Sequence, residues 1–347
     1  MENLRATLPL SAESEVERLG SIALDQWRGL ALLFVLISHG FFFTNHVNGL
    51  GRVGVNLFFF ISGILVFRSL WRTSATTHLA LAKSFWWRRL RRLYPAMFTY
   101  TLALLPVVWW FQRQPNLPPH CDFASYLKGL LSAYAYTMNY FGAARSLGHL
   151  WSLACEMQFY LLAPIIFILG GATRRRQNFV FGTLLIILLG LGLAQPFIGQ
   201  WKYHFEFAVW PMMLGFWCEY KRVWFQKCSQ PLITALLWAC VVICATSLVI
   251  TIFFTELKLL VIATGALLLL PCLLAYLSGR PLPGCGGHAL RWLGERTYSI
   301  YLWQEPFTID NYLPAIVQPI GALIAVAVGG IWFQLFEKPF LSQSRRK

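Results

Sequence analysis

Apolar runs long enough to cross a bilayer alternate with short polar segments along this chain. They cover residues 29–48, 53–71, 93–112, 150–172, 179–198, 207–220, 232–253, 259–278, 297–313 and 319–336. A hydrocarbon core of ~30 Å needs about 20 helical residues, so the pattern predicts an all-α polytopic transmembrane bundle of about ten spans. Gly, Pro or polar residues inside several runs make their ends soft. On this reading the chain divides into an N-terminal segment (1–24), a transmembrane domain (25–339) and a basic tail (340–347). Another apolar stretch, Ser125–Phe141, would invert the side of every later loop if it crossed. Its tyrosines, Tyr126, Tyr134, Tyr136 and Tyr140, suit a membrane interface. It is therefore expected to be re-entrant or interfacial.

Charge turns the pattern into a topology. Only 12% of residues are charged against 57% hydrophobic, with a mean hydropathy of +0.56, which excludes a pair of soluble domains. The net charge of +15 would suggest nucleic acid in a soluble protein. Here the cations fall in short segments between apolar runs, the signature of cytoplasmic loops and anionic lipid contact. With the N-terminus inside, only Arg52, Arg113, Lys128, Arg145, Lys202 and Lys258 face out, so 23 of the 29 Lys and Arg residues face in (29 − 6). Both termini are then cytoplasmic. No cleavable leader is read at the N-terminus. The eight cysteines show no metal-ligand spacing, and Cys155, Cys240, Cys244 and Cys272 fall in apolar runs as small hydrophobes. No metal site is expected.

Four polar features interrupt the apolar pattern. In LDQWRGLALLFVLISH (Leu24–His39), Asp25 and Arg28 are expected at a helix mouth, with His39 eleven residues beyond Arg28. That is roughly 16 Å deeper, so the imidazole is either a packing group bonded to a neighbouring helix or a functional one. The segment Arg68–Arg92 holds seven cations and no acid, either a topogenic loop or forked donors for phosphate. Glu156 enters the fourth span from the opposite face, at a depth expected to lie within about a turn of His39, which makes His39 its candidate partner. Gln304 and Glu305 precede Pro306 and mark either a plain helix break or irregular backbone beside a cavity.

The motif LDQWRGLALLFVLISH resembles the opening signature of the membrane-bound acyltransferase-3 family, in which an Arg is followed by ten residues and a His. GVNLFFFISGIL (Gly54–Leu65), RRLRRLYP (Arg88–Pro95), HLWSLACEMQFYLLAP (His149–Pro164) and LGERTYSIYLWQEPF (Leu293–Phe307) agree with it in order. The resemblance implies transfer of an acyl group, often acetyl, from cytoplasmic acyl-CoA to a hydroxyl of an extracytoplasmic glycan such as an exopolysaccharide or O-antigen, which could be lipid-linked. It carries over His39 as the central catalytic residue, Arg28 as its motif partner, Glu156, and Arg89 and Arg92 as paired arginines; with Arg88 these two are the candidate grip on the phosphates of the acyl-CoA donor. Asp25, Ser62, His149, Trp151, Ser152, Gln304 and Glu305 are the candidate lining of the substrate cavity. Two departures stand out: Met157 replaces a frequent Glu, and Gln304 a frequent His. No esterase-like domain is expected beside these residues, so on this reading a relay through one would need another protein.

The residues themselves suit this chemistry, since neutral imidazole can act as a base for a hydroxyl or as a carrier of the acyl group. No permanently bound cofactor is expected. A glycan or lipid transporter is the alternative class, because broken helices and buried ionisable groups serve it equally. An acyltransferase acting on a lipid or a small metabolite is the other.

Overall fold

The structure is a computed structural model of the chain. It describes residues 10–40, 48–73, 75–111, 123–141, 147–194, 203–226, 258–308 and 318–340, and every element among them is helical. Helices α1 (Leu10–Gly40), α2 (Asn48–Arg72) and α3 (His78–Phe111) are followed by the short α4 (Phe123–Tyr134) and α5 (Met138–Phe141), then by α6 (Leu150–Gly170) and α7 (Arg174–Ala194). Next come α8 (Phe205–Ala208), α9 (Trp210–Tyr220) and α10 (Arg222–Gln226). The chain continues with α11 (Lys258–Ser278), α12 (Gly284–Glu295), α13 (Thr297–Thr308) and α14 (Gln318–Trp332), which runs into a wide π-type turn at Phe333–Glu337.

Six of the described helices are long and apolar enough to cross a membrane: Glu15–Gly40, Leu50–Arg72, His78–Trp110, Leu150–Gly170, Arg174–Ala194 and Ile320–Phe340. This is a multi-pass membrane protein. The other expected spans fare differently. The run 207–220 yields an 11-residue α9 and the run 297–313 a 12-residue α13 over its described part, about 16–18 Å each and too short to cross alone. The run 259–278 lies within the 21-residue α11. The run 232–253 falls outside the described residues.

Three boundaries differ from the sequence pattern, each for a physical reason. Helix α1 begins at Leu10, so Asp25 and Arg28 sit mid-helix rather than at its mouth, and His39 lies in the last turn. The acidic start of α1 is tolerated because Glu17 accepts contacts from Arg68 (3.1 Å), Arg222 (3.3 Å) and Arg72. The basic stretch from Lys83 to Arg92 is helical, part of the 34-residue α3. No Gly or Pro occurs between His78 and Tyr94, so nothing stops the helix there. Within Ser125–Phe141, the 12-residue α4 is about 18 Å long. It ends at Tyr134, and the chain turns at Tyr136, whose backbone is left-handed (φ 52°). Gln158 holds that turn by donating to Tyr136 O (2.7 Å) and pairing with Asn139 (2.9 and 3.1 Å).

Helices α1 and α2 form the antiparallel centre of the bundle. Arg68 donates to Ser21 at one end (3.3 Å), while Gly51 packs against Ser38 at the other. Helix α1 also packs on α11 and α12, and α2 on α6, α9 and α11. The α2–α9 crossing is close because Gly63 abuts Met212 O and Gly215 abuts Phe60 O, the small-residue contact that lets membrane helices approach backbone to backbone. Gly29 against Leu290 O and Gly294 against Asp25 O repeat it between α1 and α12. A Cβ at Gly63 would overlap a carbonyl that cannot move without its helix. Gly63→Val is therefore expected to cost about 1–3 kcal/mol and to lower the unfolding temperature in detergent by several degrees, measured by differential scanning fluorimetry. An unchanged transition would mean that the crossing is loose.

Candidate active site

A cavity opens between α1, α2, α3, α6 and the α12–α13 junction. Three arginines converge on it: Arg28 from the middle of α1, and Arg89 and Arg92 one turn apart on α3. Their spacing follows from α3 being helical, since positions three apart share a face. Arg28 lies 3.6 Å from its own-turn partner Asp25. The Arg89 guanidinium stacks over Tyr160 (4.9 Å) and Phe85 (5.3 Å), which holds the fork in place. Arg92 Nε is buried without a hydrogen-bond partner among the described residues. Arg88, expected beside them, turns elsewhere. It bonds Ser84 and Thr73 Oγ1 (2.7 Å for the latter) and does not line the cavity.

Glu156 stands in the same cavity. Its Oε1 accepts from Ser62 on α2 (2.5 Å) and from the hydroxyl of Tyr160, one turn along α6. Glu295, at the rim, is engaged by Arg291 (2.9 Å) and Arg296 (3.6 Å). The carboxylates are thus bound to local donors, while the three guanidiniums line the open space. The arrangement can hold a polyanion.

His39 lies elsewhere. A Cβ built on Gly51 would sit 3.9 Å from His39 Nε2, whereas Glu156 is bonded to Ser62, eleven residues further along α2. The two levels are about 16 Å apart. The expected pairing of His39 with Glu156 is therefore not made, because α1 starts earlier and carries His39 to its far end. Its partner is Gln304 on α13: Nδ1–H donates to Gln304 Oε1 (2.6 Å). An amide oxygen can only accept, so the lone pair is left on Nε2. Gln304 is fully buried, and Thr308 Oγ1 lies 3.4 Å from the same oxygen.

The next residue on α13 holds a second imidazole. Glu305 Oε2 accepts from His149 Nδ1 and from the His149 backbone N–H (2.8 Å), which also satisfies a donor at the start of α6. His149 Nε2 is buried with no partner among the described residues. The Tyr301 hydroxyl donates to His149 O (3.0 Å) and meets Ser152 Oγ at 2.7 Å. Since Ser152 and Tyr301 line the arginine cavity, this hydroxyl pair separates it from the histidine level. Trp151 faces the far end of the bundle, beneath the Arg52 guanidinium (5.3 Å).

Sequence reasoning missed several groups. Tyr160 was visible as the residue four beyond Glu156 on one helical face. Tyr298 and Tyr301 line the cavity from within a quoted motif. Glu337, buried and bonded by Ser299 (2.7 Å), had no local signal, because only tertiary packing brings the end of α14 to α13.

A family model described as an acyltransferase domain matches residues 21–335. The chain belongs to the acyltransferase-3 family. It is 27% identical, over 93% of its length, to a Bacillus subtilis protein provisionally named peptidoglycan O-acetyltransferase YrhL. It is 26% identical, over 91% of its length, to peptidoglycan O-acetyltransferase OatA of Listeria monocytogenes. These matches cover 55% of each relative, so the chain spans about half the length of either. A Staphylococcus aureus protein provisionally named as an O-acetyltransferase is 31% identical over 48% of this chain and 28% of its own. No solved structure matches.

Proposed function

We propose that this member of the acyltransferase-3 family is an O-acetyltransferase of the bacterial inner membrane, moving acetyl from cytoplasmic acetyl-CoA to a hydroxyl of a glycan on the other side. The observation that carries the reading is the convergence of Arg28, Arg89 and Arg92 on one cavity, divided from the two histidines by the Ser152–Tyr301 hydroxyl pair. Forked guanidiniums suit the phosphates of CoA. Arg28 joins this donor group by position, rather than acting on His39. The bias of cations toward one side supports a cytoplasmic donor mouth. The names of the relatives support a cell-wall glycan, peptidoglycan in particular, as acceptor.

In the chemical step, His39 Nε2 takes the proton of the acceptor hydroxyl while that oxygen attacks the thioester carbon. The C–S bond breaks, and the imidazolium returns the proton to the departing CoA thiolate. The same lone pair could first carry the acetyl group and then pass it on. Glu156, held by Ser62 and Tyr160, lines the stretch of cavity through which the donor's arm reaches toward His39. The test uses sealed inside-out vesicles given labelled acetyl-CoA outside. Label is expected on lumenal glycan, with no CoA found inside. Intact vesicles that bind no acetyl-CoA and label no glycan would overturn the reading.

A further inference from the structure

At the end of the bundle away from the basic arginines, aromatic side chains from three separate segments meet around two charges. Trp151, at the start of α6, packs against Tyr203 with ring centroids 4.6 Å apart at 47°. Tyr140, at the end of α5, meets His204 at 4.6 Å and 55°. The Arg52 guanidinium lies 5.3 Å from the Trp151 ring and 5.4 Å from that of Tyr203. Tyr140 donates its hydroxyl to Glu206 Oε2 (2.9 Å), and His204 Nδ1 is 3.5 Å from Glu206 Oε1. Cys155 fixes the backbone by donating to Tyr203 O (3.4 Å).

We propose that this cluster is the docking platform for a sugar ring of the acceptor, with Tyr203 and Tyr140 supplying the stacking surface and Glu206 and Arg52 the hydrogen-bonding rim. The proposal rests on the acyltransferase reading above. Tyr203 is 36% exposed, Tyr140 42% and the Glu206 side chain 40%, so part of each side chain reaches the surface beside its packed neighbours. A sugar ring presents a flat C–H face and a girdle of hydroxyls. An aromatic surface flanked by one carboxylate and one guanidinium is complementary to both. An interfacial aromatic belt is the plainer account of such tyrosines. A belt does not require a tyrosine bonded to a carboxylate that a histidine also approaches, or an arginine seated over paired rings. Position agrees as well: Trp151 contacts Phe59 (6.2 Å), a residue of the cavity wall, and precedes Ser152. A glycan held here approaches the histidine level from the side opposite the arginines.

The experiment titrates the full chain in lipid nanodiscs with triacetylchitotriose, followed by calorimetry, with acetyl-CoA binding measured on the same samples. Saturable binding is expected for wild type and, within twofold, for Tyr203→Phe. At least tenfold weaker binding is expected for Tyr203→Ala and for Glu206→Gln, whose change is isosteric and spares the fold. Acetyl-CoA affinity should be unchanged throughout. Absence of trisaccharide binding by wild type, or wild-type affinity in both Tyr203→Ala and Glu206→Gln, overturns the platform. Label transfer from acetyl-CoA separates the two claims. Transfer by wild type with an unaltered glycan KM in the variants removes the platform and leaves the enzyme. Trisaccharide binding that tracks the variants without any transfer removes the enzyme and leaves the platform.

Discussion

His39→Gln is expected to bind acetyl-CoA normally, insert at wild-type levels and acetylate glycan about 10²–10⁴-fold more slowly, the range a positioned acid–base group contributes. The argument starts from the 2.6 Å bond to Gln304. It fixes Nδ1 as the donor and presents Nε2 as the only basic nitrogen of that ring. Glutamine preserves size and polarity but supplies neither base nor acyl carrier. Gln304→Leu is expected to lower the rate less, since the ring remains but its tautomer and orientation are no longer imposed. Gln304→Glu should restore much of that loss, because a carboxylate accepts the same proton. Initial rates in vesicles, normalised to protein amount, decide it. Wild-type transfer by His39→Gln would make the residue a packing histidine.

The double change Arg89→Ala with Arg92→Ala should weaken acetyl-CoA binding about 10³-fold, and Arg28→Ala alone by about 10–100-fold. A hydrogen bond to a charged group contributes about 1.5–3 kcal/mol, and each 1.4 kcal/mol is tenfold in affinity. Arg92 has a buried Nε with no partner among the described residues, so its replacement breaks no bond seen for that nitrogen. The loss should therefore appear in binding more than in stability. Lysine at either α3 position keeps charge and loses the fork, giving an intermediate effect. Arg88→Ala is the control: its bonds run to Ser84 and Thr73, and donor affinity should hold. Equal donor affinity in all these proteins, by calorimetry, would leave the arginines topogenic.

Much of this architecture could be read from the residues, and the failures share a cause. Apolar periodicity located the long helices, and the motifs named the arginines, Glu156 and His39. Register between helices is a tertiary property, so depth counted from an assumed boundary misplaced His39. Glu17 extends α1 by pairing with Arg68, Arg72 and Arg222, each remote in sequence. The same limit hid the Gln304–His39 and Glu305–His149 pairs, which are adjacent on α13 but joined to residues more than 150 positions away. Arg88 shows the reverse. It shares a motif with Arg89, yet neighbouring positions on a helix point about 100° apart.

The glycine crossings bear on electrical insulation. Helices α1 and α2, which carry the candidate chemistry, are pressed backbone to backbone against α12 and α9, and such contacts resist sliding because a carbonyl stands where any shift would go. A transfer that takes place at one histidine requires neither CoA nor glycan to cross, so these helices need not part. On the proposed function, tight crossings of this kind are what would keep a two-sided enzyme from becoming a leak for protons.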